Sequence, residues 1–275
     1  MTIGVIARTF NGMSILPSGM FIKNIECMLP HVDKFTIIEG ASYPPAKPFT
    51  NDGHSTDDTV MVIKKLIEEH GPKIELIQSP SGWWEYGTGE YYKAINKKMT
   101  TDYVWILDND EFYHELHIPR ILDLLEKRQP YMVEFYAKQF WGNWNTHVSK
   151  ESEGQWGNEL GWQRIFRNKP GVSYWVEHHP PTLIYEYERV CNNQSNVLTR
   201  KEMREIGIEL YHYGFVCRSQ VEFKHKFYGK SGWDYTGMWD KWQKDHSTLL
   251  PYGAETEEFD PAGHPAAIHD LMERK

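Results

Sequence analysis

The first half of the chain alternates strand-like and helix-like segments, and this alternation constrains the fold more than any other feature. The strand-like runs are IGVIA, KFTIIEG, KIELIQS and YVWILDND. The amphipathic runs between and after them are MFIKNIECMLPHV, STDDTVMVIKKLIEEHG, TGEYYKAINKKM and IPRILDLLEKR. Strands that alternate with helices join by right-handed crossovers into a mostly parallel sheet. We therefore predict an α/β fold. For the helix in STDDTVMVIKKLIEEHG, we expect Ser55 or Thr56 at the N-cap, acidic residues in the first turn and Gly71 beyond its end.

A chain of 275 residues with 40% hydrophobic content can bury one substantial core, or a core with a small appendage. It contains no apolar run of about eighteen residues that could span a bilayer, and MTIGVIARTF lacks the features of a secretory signal. We therefore expect a cytoplasmic protein without a transmembrane segment. The three cysteines form no CxxC pair, so we expect reduced thiols.

The charge balance limits the classes of partner. A net charge of −8 argues against nucleic-acid binding, because that affinity depends on dense Lys and Arg. A single nucleotide can still bind an acidic protein when a divalent cation stands between its phosphates and the carboxylates.

Two carboxylates, Asp108 and Asp110, come where the fourth predicted strand ends. Ligands of such sheets bind beyond the carboxyl ends of the strands, and residues two apart in an extended chain point the same way. Like charges on one face repel unless a cation joins them, and hard oxygen ligands suit Mg²⁺ or Mn²⁺ carrying substrate phosphates. The alternative is that these acids only cap the helix that follows.

A series of motifs in a fixed order connects the chain to a known family. The chain contains ARTFN, IEGAS, HSTDDT and WILDNDEF, followed by GWQRIFRN and ELYHYGFV. This series resembles the GT-A glycosyltransferases, in particular bacterial and viral members of family 2. It departs from the family pattern at Asp58, where Gly is usual. The resemblance covers roughly residues 1 to 230 and fades from Ser231 onward.

The resemblance implies the domain organisation and the detail of the fold. We expect a Rossmann-like, mostly parallel sheet flanked by helices, with a small antiparallel extension in the second half. Residues 1–230 would form the catalytic domain, divided into a donor half at 1–115 and an acceptor and catalytic half at 116–230. Residues 231–275 would be a helical extension packed on the same domain.

The resemblance also implies a metal site. Asp110 would bind the cation directly, and Asp108 would bind the nucleotide ribose, or the cation through water. His212 would be the third protein ligand, which favours Mn²⁺ somewhat over Mg²⁺. The alternative for His212 is a core histidine on a strand.

Donor-binding residues follow from the same resemblance. Ala7, Arg8, Glu39 and Asp57 would shape the nucleotide pocket, and Glu90 would approach the donor sugar. Arg8 could instead be a salt-bridge partner, Glu39 a strand-end cap and Asp57 an acid at a helix N-terminus.

Family 2 enzymes invert the anomeric centre, so the resemblance implies one displacement assisted by a group that takes the acceptor's proton. The candidates for this base are Glu159 and Glu177. His178 and His179 could contact the donor diphosphate or serve as base. The expected reaction moves a sugar from a UDP- or GDP-sugar to a hydroxyl of a glycan or another small acceptor. A sugar-phosphate nucleotidyltransferase is the second hypothesis, and a non-catalytic carbohydrate-binding protein is the third.

Overall fold

A computed structural model of the chain describes residues 1–43, 45–85, 99–152, 162–168, 172–175, 182–185, 188–189, 196–228 and 233–273. The strands of the described residues are β1 (Ile3–Thr9), β2 (Lys34–Tyr43), β3 (Ile74–Glu85), β4 (Tyr103–Asp108), β5 (Glu111–Phe112), β6 (Met132–Phe135), β7 (Ala137–Trp141), β8 (Thr146–Val148), β9 (Trp162–Arg167), β10 (Val172–Trp175), β11 (Thr182–Tyr185), β12 (Glu188–Arg189), β13 (Val197–Leu198), β14 (Leu210–Phe215) and β15 (Thr256–Glu258).

The α-helices of the same residues are α1 (Gly12–Ile15), α2 (Met20–Met28), α3 (Thr59–His70), α4 (His117–Arg128), α5 (Arg200–Glu205), α6 (Arg218–Phe227), α7 (Tyr235–Lys244) and α8 (Ala266–Met272). Short 3₁₀ turns lie at Leu29–His31, Lys47–Phe49, Gly71–Lys73, Lys150–Ser152, Pro251–Gly253 and Pro261–Gly263. Within the described ranges, no helix is both long enough and apolar enough to cross a bilayer.

The central sheet has the predicted α/β character. In the described part of the chain its seven strands run in the order β13-β6-β9-β4-β1-β2-β3. The pairs β1–β2, β1–β4, β2–β3 and β6–β13 are parallel, and β9 is antiparallel to both β4 and β6. The expected mostly parallel sheet with an antiparallel part is therefore confirmed. Arg8 on β1 lies in register with Asp108 on β4, so the carboxyl ends of these strands meet at one edge.

A second sheet brings the later half of the chain to that same edge. Its strand order in the described residues is β15-β8-β7-β14-β5, and β5 follows directly after the end of β4. Strands β14 and β5 are antiparallel, with His212 opposite Glu111. The Tyr213 amide also donates to the Asp110 carbonyl at 2.8 Å. These backbone contacts place the YHYG segment beside the two acids, although more than ninety residues separate them in sequence.

The main core lies between the central sheet and its helices. Val5, Phe35 and Trp105 from the sheet are fully buried in the same apolar cluster as Phe21 and Ile25 of α2. Burial of each such side chain contributes roughly 1.5–3 kcal/mol. This packed core keeps the strands rigid, so their carboxyl ends can hold polar side chains in fixed positions.

The start of α3 differs from the prediction. The helix begins at Thr59 with Asp58 at its N-cap, so the expected cap at Ser55 or Thr56, with acidic residues in the first turn, is wrong. The physical reason is tertiary. The Ser55 amide donates to the Glu39 carboxylate at 2.7 Å, and the Ser55 hydroxyl accepts from the Asn11 amide at 2.9 Å. The C-terminal prediction is confirmed, since Gly71 follows the last helical residue with φ of 63°.

The segment after residue 230 is not only helical. Alongside α7 and α8 it contributes β15, which pairs with β8. Its Trp239 and Trp242 pack against Trp141 and Phe215 of the second sheet. Much of the predicted helix TGEYYKAINKKM and the predicted domain boundary at residue 230 lie outside the described residues.

Candidate active site

The two acids at the end of β4 are each paired with a different basic side chain. Asp108 Oδ2 accepts from Arg164 Nη2 at 3.1 Å, and Asp110 Oδ2 accepts from Lys224 Nζ at 3.1 Å. The side chain of Asp108 is 27% exposed and that of Asp110 is 13% exposed. The acids therefore lie where the strand order predicts, but their mutual repulsion is relieved by side chains of this chain.

Arg164 is the buried centre of the acidic edge. It is 0% exposed, and its Nε and Nη2 donate to both oxygens of the equally buried Glu111, at 2.8 and 2.5 Å. Glu111 Oε2, which accepts from Arg164 Nε, also accepts from the Asp108 amide at 3.2 Å. Burial raises the pKa of Glu111, and the Arg164 guanidinium opposes that shift. One guanidinium thus orients two carboxylates, a use for which its rigid fork of donors is suited.

Arg164 is not among the site residues predicted from the sequence. A signal existed, because WQRIFR places a charge inside an otherwise strand-like apolar run, and such a charge needs a buried partner. Trp162, two residues before it, lies with its ring 4.7 Å from the Arg164 guanidinium carbon and 4.9 Å from the His212 ring. This ring packs between the two polar groups of the site.

His212 faces Asp110 with one ring nitrogen and Gln139 with the other. The Nε2 atom lies 3.5 Å from Asp110 Oδ2, and Nδ1 makes a short hydrogen bond with the side-chain oxygen of Gln139. Burial lowers the pKa of His212, although Asp110 opposes this, so the neutral imidazole is favoured. The Gln139 side-chain oxygen can accept a hydrogen bond from Nδ1, and the other ring nitrogen, Nε2, faces Asp110.

Lys224 reaches the site from α6. Its Nζ lies 4.5 Å from the centre of the Phe215 ring as well as beside Asp110. Burial alone would raise the pKa of Asp110, but Lys224 and His212 outweigh it and hold this pKa well below its ordinary value. Asp110 is therefore ionised throughout the physiological range.

The predicted nucleotide residues divide into two groups. Arg8 donates a short hydrogen bond to the Ser42 hydroxyl, and its charge acts on the partly buried Tyr228, which follows α6. Burial, the largest cause, raises the pKa of Tyr228; Arg8 opposes this shift, while Asp108 and Asp110 add to it. Arg8 and Tyr228 therefore lie within electrostatic reach of the acids. Ala7 has its side chain in the main core, so only its backbone could meet a ligand.

Glu39 and Asp57 have structural partners that correspond to their alternative interpretations. Glu39 is 0% exposed, and its carboxylate accepts from the Ser55 amide and the Gln78 side chain, both at 2.7 Å. Asp57 accepts from the Thr59 amide at 3.0 Å, at the first residue of α3, and from the Ser14 amide at 2.8 Å. These bonds direct the buried Glu39 carboxylate to Gln78 and to the loop before α3, and the assignment of Glu39 to the nucleotide pocket stays a prediction.

The remaining predicted residues lie outside the described part of the chain. They are Glu90, Glu159, Glu177, His178 and His179. The assignment of a general base and of a residue beside the donor sugar stays a prediction.

Comparison with protein families identifies the region that contains the acidic edge. Residues 49–183 match the sequence model of Glycosyl transferase family 2. This region of the chain is therefore similar to glycosyltransferase family 2. The match includes Asp108, Asp110 and Arg164 and ends before His212 and Lys224. No curated protein matches this chain significantly.

Solved structures resemble this chain only distantly. TarS from S. aureus, residues 1–349, is 13% identical with a TM-score of 0.40, over 61% of this chain and 47% of that one. Its complex with UDP-GlcNAc has 12% identity, a TM-score of 0.39 and coverage of 61% and 46%. Glucosyl-3-phosphoglycerate synthase from Mycobacterium tuberculosis, solved with Mn²⁺, UDP and glucosyl-3-phosphoglycerate, has 16% identity, a TM-score of 0.37 and coverage of 61% and 57%. The chain spans about half the length of the TarS fragment.

The predicted three-ligand metal site is not preformed. Among the described residues, no group of three or more His, Cys, Asp and Glu side chains is arranged to hold a metal ion. Asp108 turns to Arg164 instead of joining Asp110 and His212. The pair of Asp110 and His212 nevertheless has the donor types of a divalent-ion site, because a carboxylate oxygen and an imidazole nitrogen lie 3.5 Å apart. Metal-binding histidines commonly make a hydrogen bond through the ring nitrogen that does not face the metal. The bond between His212 Nδ1 and Gln139 is of this kind.

Proposed function

We propose that this protein is a glycosyltransferase that moves a sugar from a nucleoside-diphosphate sugar to an acceptor hydroxyl. The observation that carries the proposal is the acidic edge within the region that matches family 2. There, Asp108 ends β4 in register with Arg8 on β1, and Asp110 follows two residues later. Ligands of mostly parallel sheets bind beyond these strand ends. Acceptors with a free hydroxyl, such as a glycan or a small molecule, fit this reaction class.

The donor diphosphate has cationic partners in this arrangement. Arg8 and Lys224 lie within reach of the acids, and both carry positive charges that favour phosphate oxygens. We propose a UDP- or GDP-sugar as donor. The Tyr228 ring lies near the same charges and would border the diphosphate.

We further propose that the reaction depends on a divalent cation, Mn²⁺ or Mg²⁺, held by Asp110 and His212. When bound, such an ion would neutralise the negative charge that develops on the leaving diphosphate. The role of Asp108 would be to bind the ribose or a water, in an orientation that Arg164 maintains. Glu111 keeps Arg164 in place from the buried side.

The transfer would invert the anomeric centre in one displacement, as the family resemblance implies. The acceptor hydroxyl would attack while a base takes its proton, and Glu159, Glu177 and His179 remain the candidates. The nucleoside diphosphate would leave with both phosphates intact. This last feature distinguishes the proposal from a nucleotidyltransferase, which would release pyrophosphate.

The test measures what leaves the donor. Purified protein with Mn²⁺ is incubated with a panel of UDP- and GDP-sugars, and in a separate arm with UTP or GTP and sugar 1-phosphates. The nucleoside diphosphate and pyrophosphate released in each arm are quantified. We expect release of UDP or GDP, and a loss of at least about a hundredfold in Asp110→Asn, since one essential electrostatic group is typically worth that much. Asp123→Asn is the control, because Asp123 is 56% exposed on α4 and pairs only with Lys127 among the contacts described. Pyrophosphate as the product, or equal rates in both variants, would contradict the proposal.

A further inference from the structure

The Lys224 ammonium lies beside Asp110, at the position where the proposed divalent cation would bind. Strand β14 carries His212, and α6, which begins three residues after this strand, carries Lys224. Both side chains approach the same oxygen of Asp110, with Nζ at 3.1 Å and Nε2 at 3.5 Å. One carboxylate oxygen of Asp110 therefore has both the Lys224 ammonium and the His212 Nε2 atom beside it.

The absence of a side chain at Gly214 leaves space for this ammonium. A Cβ atom at Gly214 would lie 2.3 Å from Lys224 Nζ and 2.7 Å from His212 Nε2. Any side chain at this position would therefore displace one or both groups. The register between β14 and β7 shifts between His212 and Phe215, which is the kind of irregularity that redirects side chains near functional sites.

The ammonium is also held from its other side. The Phe215 ring lies 4.5 Å away, and the Lys224 side chain is only 16% exposed. A lysine so shielded from water loses hydration, which its contacts with Asp110 and the ring offset. Lys224 therefore occupies a partly enclosed cation site, which differs from an exposed surface ion pair.

We propose that Lys224 is a resident counter-ion of Asp110 that a divalent cation must displace. The inference rests on the metal-binding part of the proposed function and adds a residue that lowers the protein's affinity for its ion. Because the ion binds only molecules in which Lys224 has moved away, the apparent dissociation constant is the intrinsic one divided by that fraction. The displaced ammonium would remain close enough to meet the donor diphosphate, so ion and donor would favour each other's binding.

The test titrates Mn²⁺ alone into the full chain and follows free Mn²⁺ by electron paramagnetic resonance. We expect Lys224→Met to bind Mn²⁺ at least about tenfold more tightly than the unchanged protein, which corresponds to about 1.4 kcal/mol. Lys226→Met is the matched control, because Lys226 lies on the same helix and contacts the Phe49 ring at 5.8 Å. The control should bind as the unchanged protein does.

The outcomes separate this inference from the proposed function. Equal or weaker Mn²⁺ binding in Lys224→Met, or no binding in either protein, overturns the inference. Tighter binding supports it even if no nucleotide sugar is consumed. If Lys224→Met does not fold, Lys224→Gln retains a donor for Asp110 without the charge and is expected to shift the affinity in the same direction.

Discussion

Arg164 Nη2 lies 3.1 Å from Asp108 Oδ2 and 2.5 Å from Glu111 Oε1, so that one buried guanidinium joins the end of β4 to the start of β5. Arg164 comes from β9, which is distant from β4 in sequence and adjacent to it in the central sheet. The cluster determines the direction of the Asp108 carboxylate, and with it the shape of the acidic edge.

Removal of Arg164 should therefore destabilise the protein strongly. Arg164→Gln leaves Glu111 buried without its cation, which typically costs about 3–5 kcal/mol. Urea denaturation followed by far-ultraviolet circular dichroism measures the free energy of unfolding. Arg167→Gln, on the same strand, removes bonds to Gln129 at the surface and should cost less than about 1 kcal/mol. Similar losses in the two variants would contradict the structural role assigned to Arg164.

Gln139 should determine which nitrogen of His212 carries the proton. In Gln139→Leu the acceptor for Nδ1 is absent, so the proton is no longer held there. Nitrogen NMR of the imidazole should show the Nδ1-protonated tautomer in the unchanged protein and a mixture in the variant. Mn²⁺ affinity should fall by about 10- to 100-fold, the usual effect of losing an outer contact. Gln243→Leu, which loses a bond to the Gly142 carbonyl, is the control and should change neither reading.

His264 should make stability depend on pH in a predictable direction. It is 1% exposed, burial lowers its pKa from 6.5 to about 4, and Tyr213 shares a 2.7 Å hydrogen bond with its Nδ1. Between these two values the unfolded chain holds a proton that the folded chain does not. The contribution is therefore complete above pH 6.5 and is lost as the pH falls toward 4, by about 3 kcal/mol in total.

Urea titrations at pH 7, 6, 5 and 4.5 test this dependence. The free energy of unfolding should fall more steeply in the unchanged protein than in His264→Gln, by up to about 1.4 kcal/mol per pH unit. Parallel pH profiles for the two proteins would refute the assignment. Because the slopes of the two pH profiles are compared, any pH-independent effect of the substitution on the free energy of unfolding cancels.

Gly142 and Gly207 should respond very differently to alanine. Both have positive φ, 78° and 76°, so each substitution strains the backbone by about 1 kcal/mol or more. At Gly207 nothing lies within 4 Å of the new Cβ, whereas at Gly142 the ring of Trp242 would lie 1.9 Å away. Gly142→Ala should cost at least about 2 kcal/mol more than Gly207→Ala, because the packed α7 must move. Thermal unfolding of both variants gives the difference, and equal melting temperatures would contradict the packing of α7 on the second sheet.

The sequence by itself determined the alternating elements and the position of the acids. Apolar runs of strand length, separated by amphipathic runs, are local patterns, so β1 to β4, α2, α3 and α4 were predicted near their observed places. Asp108 is the last residue of β4 and Asp110 comes two residues later, and their location at the strand end needs no long-range information. The motif series correctly indicated family 2.

The tertiary structure alone decided the partners of those acids. Arg164 and Lys224 lie 56 and 114 residues from the carboxylates that they bind, and no local pattern encodes such a distance. The same holds for the hydrogen bond between Gln139 and His212. It also holds for the bond from the Ser55 amide to Glu39, because of which α3 begins later than predicted. The physical reason is that periodicity reports which face of a segment is buried, whereas the charge beside a given oxygen depends on strand register and helix packing across the whole domain.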